Sequence, residues 1–126
     1  MTHFYINERS DRDLTILDLE GGLGIGWSNM FFGITLQQLS ENGRNQIILN
    51  FSDVSDIDAA GLGTLIEGHQ KVSEVGGQLK ICSLNSKALE LMTITKLLTV
   101  FDVYENEKTA IDSFHIRRNH HGRNHI

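Results

Sequence analysis

The chain has 126 residues, a length typical of one domain with its own core. Hydrophobic residues make up 40% of it and charged residues 21%, as in an ordinary globular protein. The net charge of −5 is unevenly distributed along the chain. Residues 1–114 contain eight Lys and Arg and all sixteen Asp and Glu, which gives −8, and the three arginines after residue 114 add +3. An acidic body lacks the basic surface that phosphate contacts need, so a nucleic-acid partner is not expected.

Composition also bears on location. No apolar run approaches the ~20 residues that span a bilayer, and residues 1–12 lack the basic and apolar regions of a signal peptide. We therefore expect no membrane insertion and a cytoplasmic protein. The one cysteine, Cys82, lies in the apolar stretch 79–84, where we interpret it as a small buried strand residue in a reducing compartment.

The first part of the chain predicts two strands and a glycine-rich loop. Phe4 and Ile6 alternate with polar residues, which is typical of a short strand, and residues 14–20 predict a second strand. Four closely spaced glycines then predict a flexible loop: Gly21, Gly22, Gly24 and Gly26.

A helix is predicted after this loop, with Ser28 as the candidate cap and Gly43 as its end. Its apolar side chains recur on one face, at Phe32, Leu36 and Leu39.

Strands and helices alternate through the rest of the chain. We predict strands at 47–51, 79–83 and 100–104, and helices at 59–75, 86–93 and from about 107 to about 114. Asn85 and Asn106 are the candidate caps of the last two helices. This alternation predicts a single α/β domain: a mixed, mostly parallel sheet of four to five strands packed with about four helices, with strand 47–51 central.

The end of the chain has a different composition. Residues 117–126 read RRNHHGRNHI and carry no apolar period. We expect a domain over residues 1–114 and a basic, histidine-rich, disordered tail over 115–126. Flexible histidines without supporting contacts bind metal weakly, so no metal site is expected in the tail.

The most informative segment is the stretch 47–63. Ile47, Ile48, Leu49 and Phe51 form an apolar run typical of a strand covered on both faces. The polar residues from Ser52 to Asp58 predict a turn-rich loop, with Asp58 as the cap of the next helix. Small residues then form the helix start, which offers free backbone N–H groups and a positive dipole end to other molecules.

This segment resembles the STAS domain of bacterial anti-sigma factor antagonists, and the resemblance extends over residues 14–114. In that family a strand leads to the helix start D-S-S-G-L-G, which reads here Asp58, Ala59, Ala60, Gly61, Leu62, Gly63. Further matching stretches are GGQLKI at 76–81, LMTITKL at 91–97 and VFDV at 100–103.

The resemblance implies a STAS fold and a protein that regulates transcription by partner switching, through binding an anti-sigma factor that is also a serine kinase. In the family the second serine of the motif is phosphorylated, and that position is Ala60 here. The usual phosphoacceptor is therefore absent. The family often has an aspartate near the acceptor as well. Here the matching position is at about Gly24, so this aspartate is also missing.

Two interpretations follow from the alanines. The chain is either an antagonist that is not switched off at this site, or a STAS domain with another task, such as a subunit or scaffold of a lipid-transport ATPase or a stress-sensing complex. In both, residues 58–63 are the predicted partner-binding surface. A homodimer is left open.

Other chemistry is disfavoured by the residue patterns. A dinucleotide fingerprint through Gly22 and Gly24 would need glycine at position 27, where Trp27 stands. The carboxylates of Asp53 and Asp56 fall in the predicted loop, where capping is the commoner role, and the calcium-loop pattern is incomplete. His69 lies on the apolar face of its predicted helix, and the sequence contains no Ser–His–Asp or Cys–His motif that would make it catalytic. We expect no enzyme activity, no cofactor and no metal.

Overall fold

A five-stranded mixed sheet forms the centre of the computed structural model, which describes residues 3–119. The strands lie side by side in chain order: β1 (Phe4–Asp11), β2 (Leu14–Leu23), β3 (Gln46–Ile57), β4 (Gln78–Cys82) and β5 (Asp102–Tyr104). The first two form an antiparallel hairpin, and β2 to β5 run parallel. The predicted sheet, with 47–51 in its central strand, is confirmed.

Four α-helices connect or follow the strands within residues 3–119. They are α1 (Trp27–Glu41), α2 (Ala59–Glu74), α3 (Ser86–Ile94) and α4 (Glu107–Asn119), and a 3₁₀ turn covers Leu97–Thr99. Asn85 caps α3 by accepting from the Ala88 N–H at 2.8 Å, and Asn106 accepts from the Thr109 N–H at 2.8 Å. None of these helices combines the length and the apolar character needed to cross a bilayer.

The period-2 pattern of β3 sets the two layers of the core. Ile47, Leu49 and Phe51 point to the face covered by α1, α2 and α3, whereas Ile48 points to the face covered by α4. The larger cluster includes the predicted α1 residues Phe32, Leu36 and Leu39.

A buried lysine joins α4 to the sheet. Lys80 is 1% exposed, and its Nζ donates to the Ser113 hydroxyl at 2.7 Å and to the Tyr104 hydroxyl at 3.3 Å. The ammonium also lies 4.4 Å from the ring centroid of Phe114. Hydrogen bonds and a cation–π contact thus hold the cation in an otherwise apolar layer.

An ion-pair network holds the start of α4 against the hairpin. The Arg9 guanidinium donates to both oxygens of Asp18 at 2.7 Å, and to the two oxygens of Glu107 at 2.6 and 3.1 Å. Asp18 also accepts from the Asn50 amide at 2.8 Å. The Arg9 hydrogen bonds are the main reason why the pKa of Asp18 is lowered to about 2.

This network predicts a loss of stability in acid. A carboxyl whose pKa is lower in the folded chain stabilises the fold above its unfolded pKa of ~3.9, and that contribution is lost as pH falls toward about 2. We expect the free energy of unfolding to fall by about 1–2 kcal/mol over this window, after solvent screening is allowed for. Urea titrations of wild type and Asp18→Asn at several pH values measure this, and parallel curves for the two proteins would contradict it.

The structure corrects four local predictions. The loop predicted from Ser52 is wrong, because β3 continues to Ile57. Its partner β2 continues through two of the glycines predicted to form a loop, Gly21 and Gly22, and irregular pairing there accommodates the extra length.

The other two corrections concern helix ends. Gly26, not Ser28, occupies the N-cap position of α1, and the Ser28 hydroxyl instead exchanges hydrogen bonds with the backbone of Gly24. At the other end of the chain, α4 runs to Asn119 and does not end near Phe114. The tail histidines at 120, 121 and 125 lie outside the described residues.

Candidate functional site

The candidate site lies where β3 passes directly into α2. Ile57 is the last strand residue and Ala59 is the first helical one, so Asp58 alone makes the turn. The Asp58 N–H donates to the Leu23 carbonyl at 3.2 Å, which places the end of the neighbouring strand β2 beside the turn. The site therefore stands at the carboxyl edge of the parallel strands, where α/β proteins commonly bind other molecules.

The Asp58 carboxylate connects two segments of this site. One oxygen accepts from the Gly61 N–H at 3.0 Å and caps α2, as predicted. The other oxygen accepts from the Ile25 N–H at 3.0 Å, across the loop between β2 and α1. The hydrogen bond from Gly61 has the largest effect on the pKa of Asp58, followed by that from Ile25, and both lower it. The carboxylate is therefore charged at neutral pH.

Two glycines allow this close packing. A side-chain carbon at Gly24 would lie 2.5 Å from the Asp58 Oδ2 atom, and one at Gly61 would lie 2.5 Å from the Leu23 carbonyl oxygen. Both distances are far below van der Waals contact, so any larger residue forces a shift. Gly24 stands at about the place where the family often has an aspartate, and here the carboxylate of Asp58 fills the space beside it.

The six predicted site residues divide into an outer and an inner set. Ala59 and Gly63 are exposed and Ala60 is half-buried, so these three form the accessible start of α2. Leu62 is buried in the main core, and Gly61 is buried against β2. Asp58 is exposed although its carboxylate is used internally. The accessible residues of the predicted surface therefore have small side chains and no charge apart from that of Asp58.

The hydroxyl that would accept a phosphate is missing from the start of α2. Neither Ala59 nor Ala60 has a hydroxyl, so phosphate ester formation is impossible at either position. The next hydroxyl along α2 belongs to Thr64, which is half-buried. Across residues 3–119, no three His, Cys, Asp or Glu side chains come together in a way that could hold a metal ion.

The other side chains singled out in the sequence lie apart from this chemistry. Asp53 and Asp56 are exposed on the extended end of β3, where Asp56 accepts from the Ser55 hydroxyl at 3.1 Å. The His69 ring packs edge-to-face on Phe101 with centroids 5.2 Å apart. Buried Cys82 has a raised pKa because of desolvation, so its thiol is protonated and unreactive at neutral pH.

Sequence reasoning missed two features beside the site. Ile25 and Trp27, at and just after the end of the glycine-rich loop, are both strongly exposed, and Ile25 is hydrogen-bonded to Asp58. A groove of about 260 Å³ also runs between the end of β3 and α3, with Val54, Ile57 and Leu91 among its lining residues. The apolar composition at and after the end of the glycine-rich loop is a sequence signal for the exposed pair. The groove has no such signal, because it depends on β3 extending to Ile57, which the sequence does not indicate.

Substitution of Asp58 tests its double role. Asp58→Ala removes both hydrogen bonds, and we expect a loss of about 1–2 kcal/mol in the free energy of unfolding. Asp58→Asn keeps the cap but has a single acceptor oxygen, so we expect a smaller loss. Urea unfolding measures stability, and hydrogen exchange at the Ile25 amide, faster in both variants, reports the second bond. Unchanged exchange at Ile25 would contradict the connection between the segments.

Comparison with known proteins places the chain in a family. The sequence profile of the STAS domain matches residues 5–110. The TM1081 homologue of Thermotoga neapolitana is 29% identical over 79% of this chain and 88% of that relative. The anti-sigma F factor antagonist of Paenibacillus polymyxa is 22% identical over 83% of this chain and 90% of its own length.

Solved structures agree with this at the level of the fold. The crystal structure of TM1081 from Thermotoga maritima superposes with a TM-score of 0.78 at 24% identity, covering 86% of this chain and 92% of that one. The profile match, which spans most of the chain, carries the assignment. The chain therefore belongs to the STAS domain family.

Proposed function

We propose that this protein is an anti-sigma factor antagonist that acts by binding, and that it is not inactivated by phosphorylation at the start of α2. The observation that carries the proposal is the exposed helix start with alanine at both positions where the family has serine. Family membership and the name of the Paenibacillus relative support an anti-sigma factor as the partner class. The serine-kinase type of that partner is what the resemblance implies.

The shape of the α2 start suits a close protein contact. Ala59, Ala60 and Gly63 have almost no side chain, so a partner can approach the backbone of the first helical turn. The positive end of the helix dipole favours a negative or hydrogen-bond-accepting group of the partner at this place. Asp58 holds the loop before α1 against this turn, so the contact surface is organised before binding and little ordering entropy is lost.

The alanines determine the regulation. A phosphate at the position of Ala60 would add about −1.5 to −2 charges at the contact surface and spoil docking. Alanine has no acceptor oxygen, so the unmodified, binding-competent form persists in the presence of kinase and ATP. The expected behaviour is that of a permanently dephosphorylated antagonist.

The same alanines also fit a second function, since a STAS domain that never used the switch needs no hydroxyl. Such a domain would be a subunit or scaffold of a lipid-transport ATPase or a stress-sensing complex. The two functions differ in the partner and share the α2 start as the contact surface. The acidic charge disfavours a nucleic-acid partner in either case.

The identity and the fate of the partner test the proposal. Tagged protein is used to capture its partner from cells of the same origin, and the purified anti-sigma factor is then loaded with its sigma factor. We expect this protein to release the sigma factor, to keep doing so with ATP present, and to incorporate no phosphate. Ala60→Ser is the matched control, which should become labelled and then lose activity.

Two results would contradict the proposal. Capture of membrane ATPase subunits in place of an anti-sigma factor would favour the second function. Phosphate on a hydroxyl of the unmodified sequence, such as Thr64, Thr93 or Thr95, together with loss of sigma release, would mean that the switch has moved.

A further inference from the structure

The outer face of α1 and the residue just before it form an apolar surface, which we call the α1 stripe. Its members recur at helical spacing, and all are exposed: Ile25 (85%), Trp27 (63%), Met30 (66%), Phe31 (39%) and Ile34 (49%). The opposite face of the same helix buries Phe32, Leu36 and Leu39 in the core. The helix is therefore apolar on two faces, and a single-domain fold uses only one of them.

The α1 stripe is held in place by aromatic contacts. The rings of Trp27 and Phe31 lie 5.5 Å apart, and each meets the buried ring of Phe4 edge-on, at 6.4 and 6.3 Å. The Ile25 N–H is fixed by Asp58 at 3.0 Å. These contacts present the exposed atoms in one arrangement, which lowers the entropy cost of covering them.

Charge distinguishes this face from the rest of the chain. Residues 21–40 contain no Asp, Glu, Lys, Arg or His, although the whole chain has sixteen acidic and eleven basic side chains. Two acidic copies of net charge −5 repel each other in most orientations. The side chains of the α1 stripe itself are all uncharged, and the Asp58 carboxylate lies at its Ile25 end.

The size of the surface fits a contact between two copies. A large exposed side chain presents roughly 150–250 Å², so the stripe leaves on the order of 600 Å² uncovered, at the upper end for a monomer. Paired interfaces bury about 800 Å² on each partner. The α1 stripe together with the polar residues that flank it on α1 is large enough to supply the area that each partner buries.

We infer that two copies of the chain pair through their α1 stripes across a two-fold axis near Met30. One ridge of α1 is formed by the exposed apolar residues three or four positions apart, at 27, 30, 31 and 34. Two such ridges can pack against each other as in ordinary helix pairs. Met30 lies midway along the ridge, so in this pairing it meets the same residue of the other copy. The pairing concerns a second copy of the chain and not the anti-sigma partner, although the Ile25 end of the stripe adjoins Asp58 at the α2 start.

Sedimentation analysis between about 1 and 300 µM tests the pairing, since a weak dimer populates both states in that range. We expect wild type to dimerise, and Met30→Lys and Ile34→Lys to weaken dimerisation by roughly 10- to 100-fold, because each places two like charges in the contact. Val75→Lys replaces an equally exposed apolar residue at the far end of α2 and is the matched control. Circular dichroism confirms that all variants are folded.

Charge pairing tests the two-fold axis itself. Met30→Lys and Met30→Glu should each be monomeric alone and should form a mixed dimer when combined. Monomeric wild type over the whole range, a dimer unaffected by both lysine variants, or no recovery in the mixture would overturn the inference. If wild type is monomeric and Met30→Lys fails to bind the captured anti-sigma factor, the α1 stripe belongs to that partner and not to a second copy.

Discussion

Gly61→Ala is expected to destabilise the protein by about 1–3 kcal/mol, whereas Gly63→Ala, two residues along the same helix, is expected to stabilise it by up to ~1 kcal/mol. The added carbon at Gly61 would lie 2.5 Å from the Leu23 carbonyl oxygen and 2.9 Å from Ile57 Cγ1. Because the first of these is a backbone atom, α2 must move away from β2. At Gly63 the added carbon meets nothing within 4 Å.

Urea unfolding of the two variants beside wild type measures this difference. Both substitutions gain the same helix propensity, so the contrast between them isolates the close contact with β2. The shift at Gly61 should also lengthen the hydrogen bond from the Asp58 N–H to Leu23, and faster hydrogen exchange at that amide is expected. If Gly61→Ala were as stable as Gly63→Ala, the tight junction between α2 and β2 would be wrong.

Local chemistry explains which parts of the fold were predictable. The caps at Asp58, Asn85 and Asn106 follow from side chains that accept from N–H groups three residues on, and all three are confirmed. The core face of α1 follows from helical spacing and is confirmed as well. These signals lie within a few residues of each other, so one sequence contains all the information they need.

Pairing between distant segments explains the errors. Residues 52–57 have the polar composition of a turn, but β2 lies beside them and pairs Glu20 with Asp53 and Leu23 with Ile57. Gly21 and Gly22 likewise have the composition of a loop, but they lie in β2 and pair with β3. A β-strand can carry polar and small residues where its partner supplies the hydrogen bonds, and the sequence of one strand does not reveal that partner.

The candidate site at residues 58–63 stays a prediction from the resemblance. Of its structural details, the cap at Asp58 follows from the chain itself and is confirmed. The second hydrogen bond of Asp58, to the Ile25 amide, joins residues 33 positions apart and has no local signal. The α1 stripe has one signal in the sequence, the absence of charge over residues 21–40, but the glycines on its N-terminal side also fit a flexible loop.

Ala60→Asp is expected to weaken binding of the anti-sigma partner by roughly 5- to 150-fold, which corresponds to ~1–3 kcal/mol. The carboxylate imitates part of the charge of a phosphate at the helix start. A partner that packs closely on Ala59 and Gly63 must desolvate that charge, and the cost appears in the affinity. Little effect on stability is expected, because acidic residues are favourable in the first turn of a helix.

The dissociation constant of the captured partner, measured for wild type, Ala60→Asp and Ala60→Ser, decides this prediction. Serine adds one hydroxyl without charge and is tolerated near a helix start, so without ATP it should bind within about twofold of wild type. A loss with aspartate alone assigns the effect to charge at the contact, and a loss with both assigns it to bulk. Equal affinity for wild type and Ala60→Asp would mean that the partner docks elsewhere, and the exposed α1 stripe would then be the next surface to substitute.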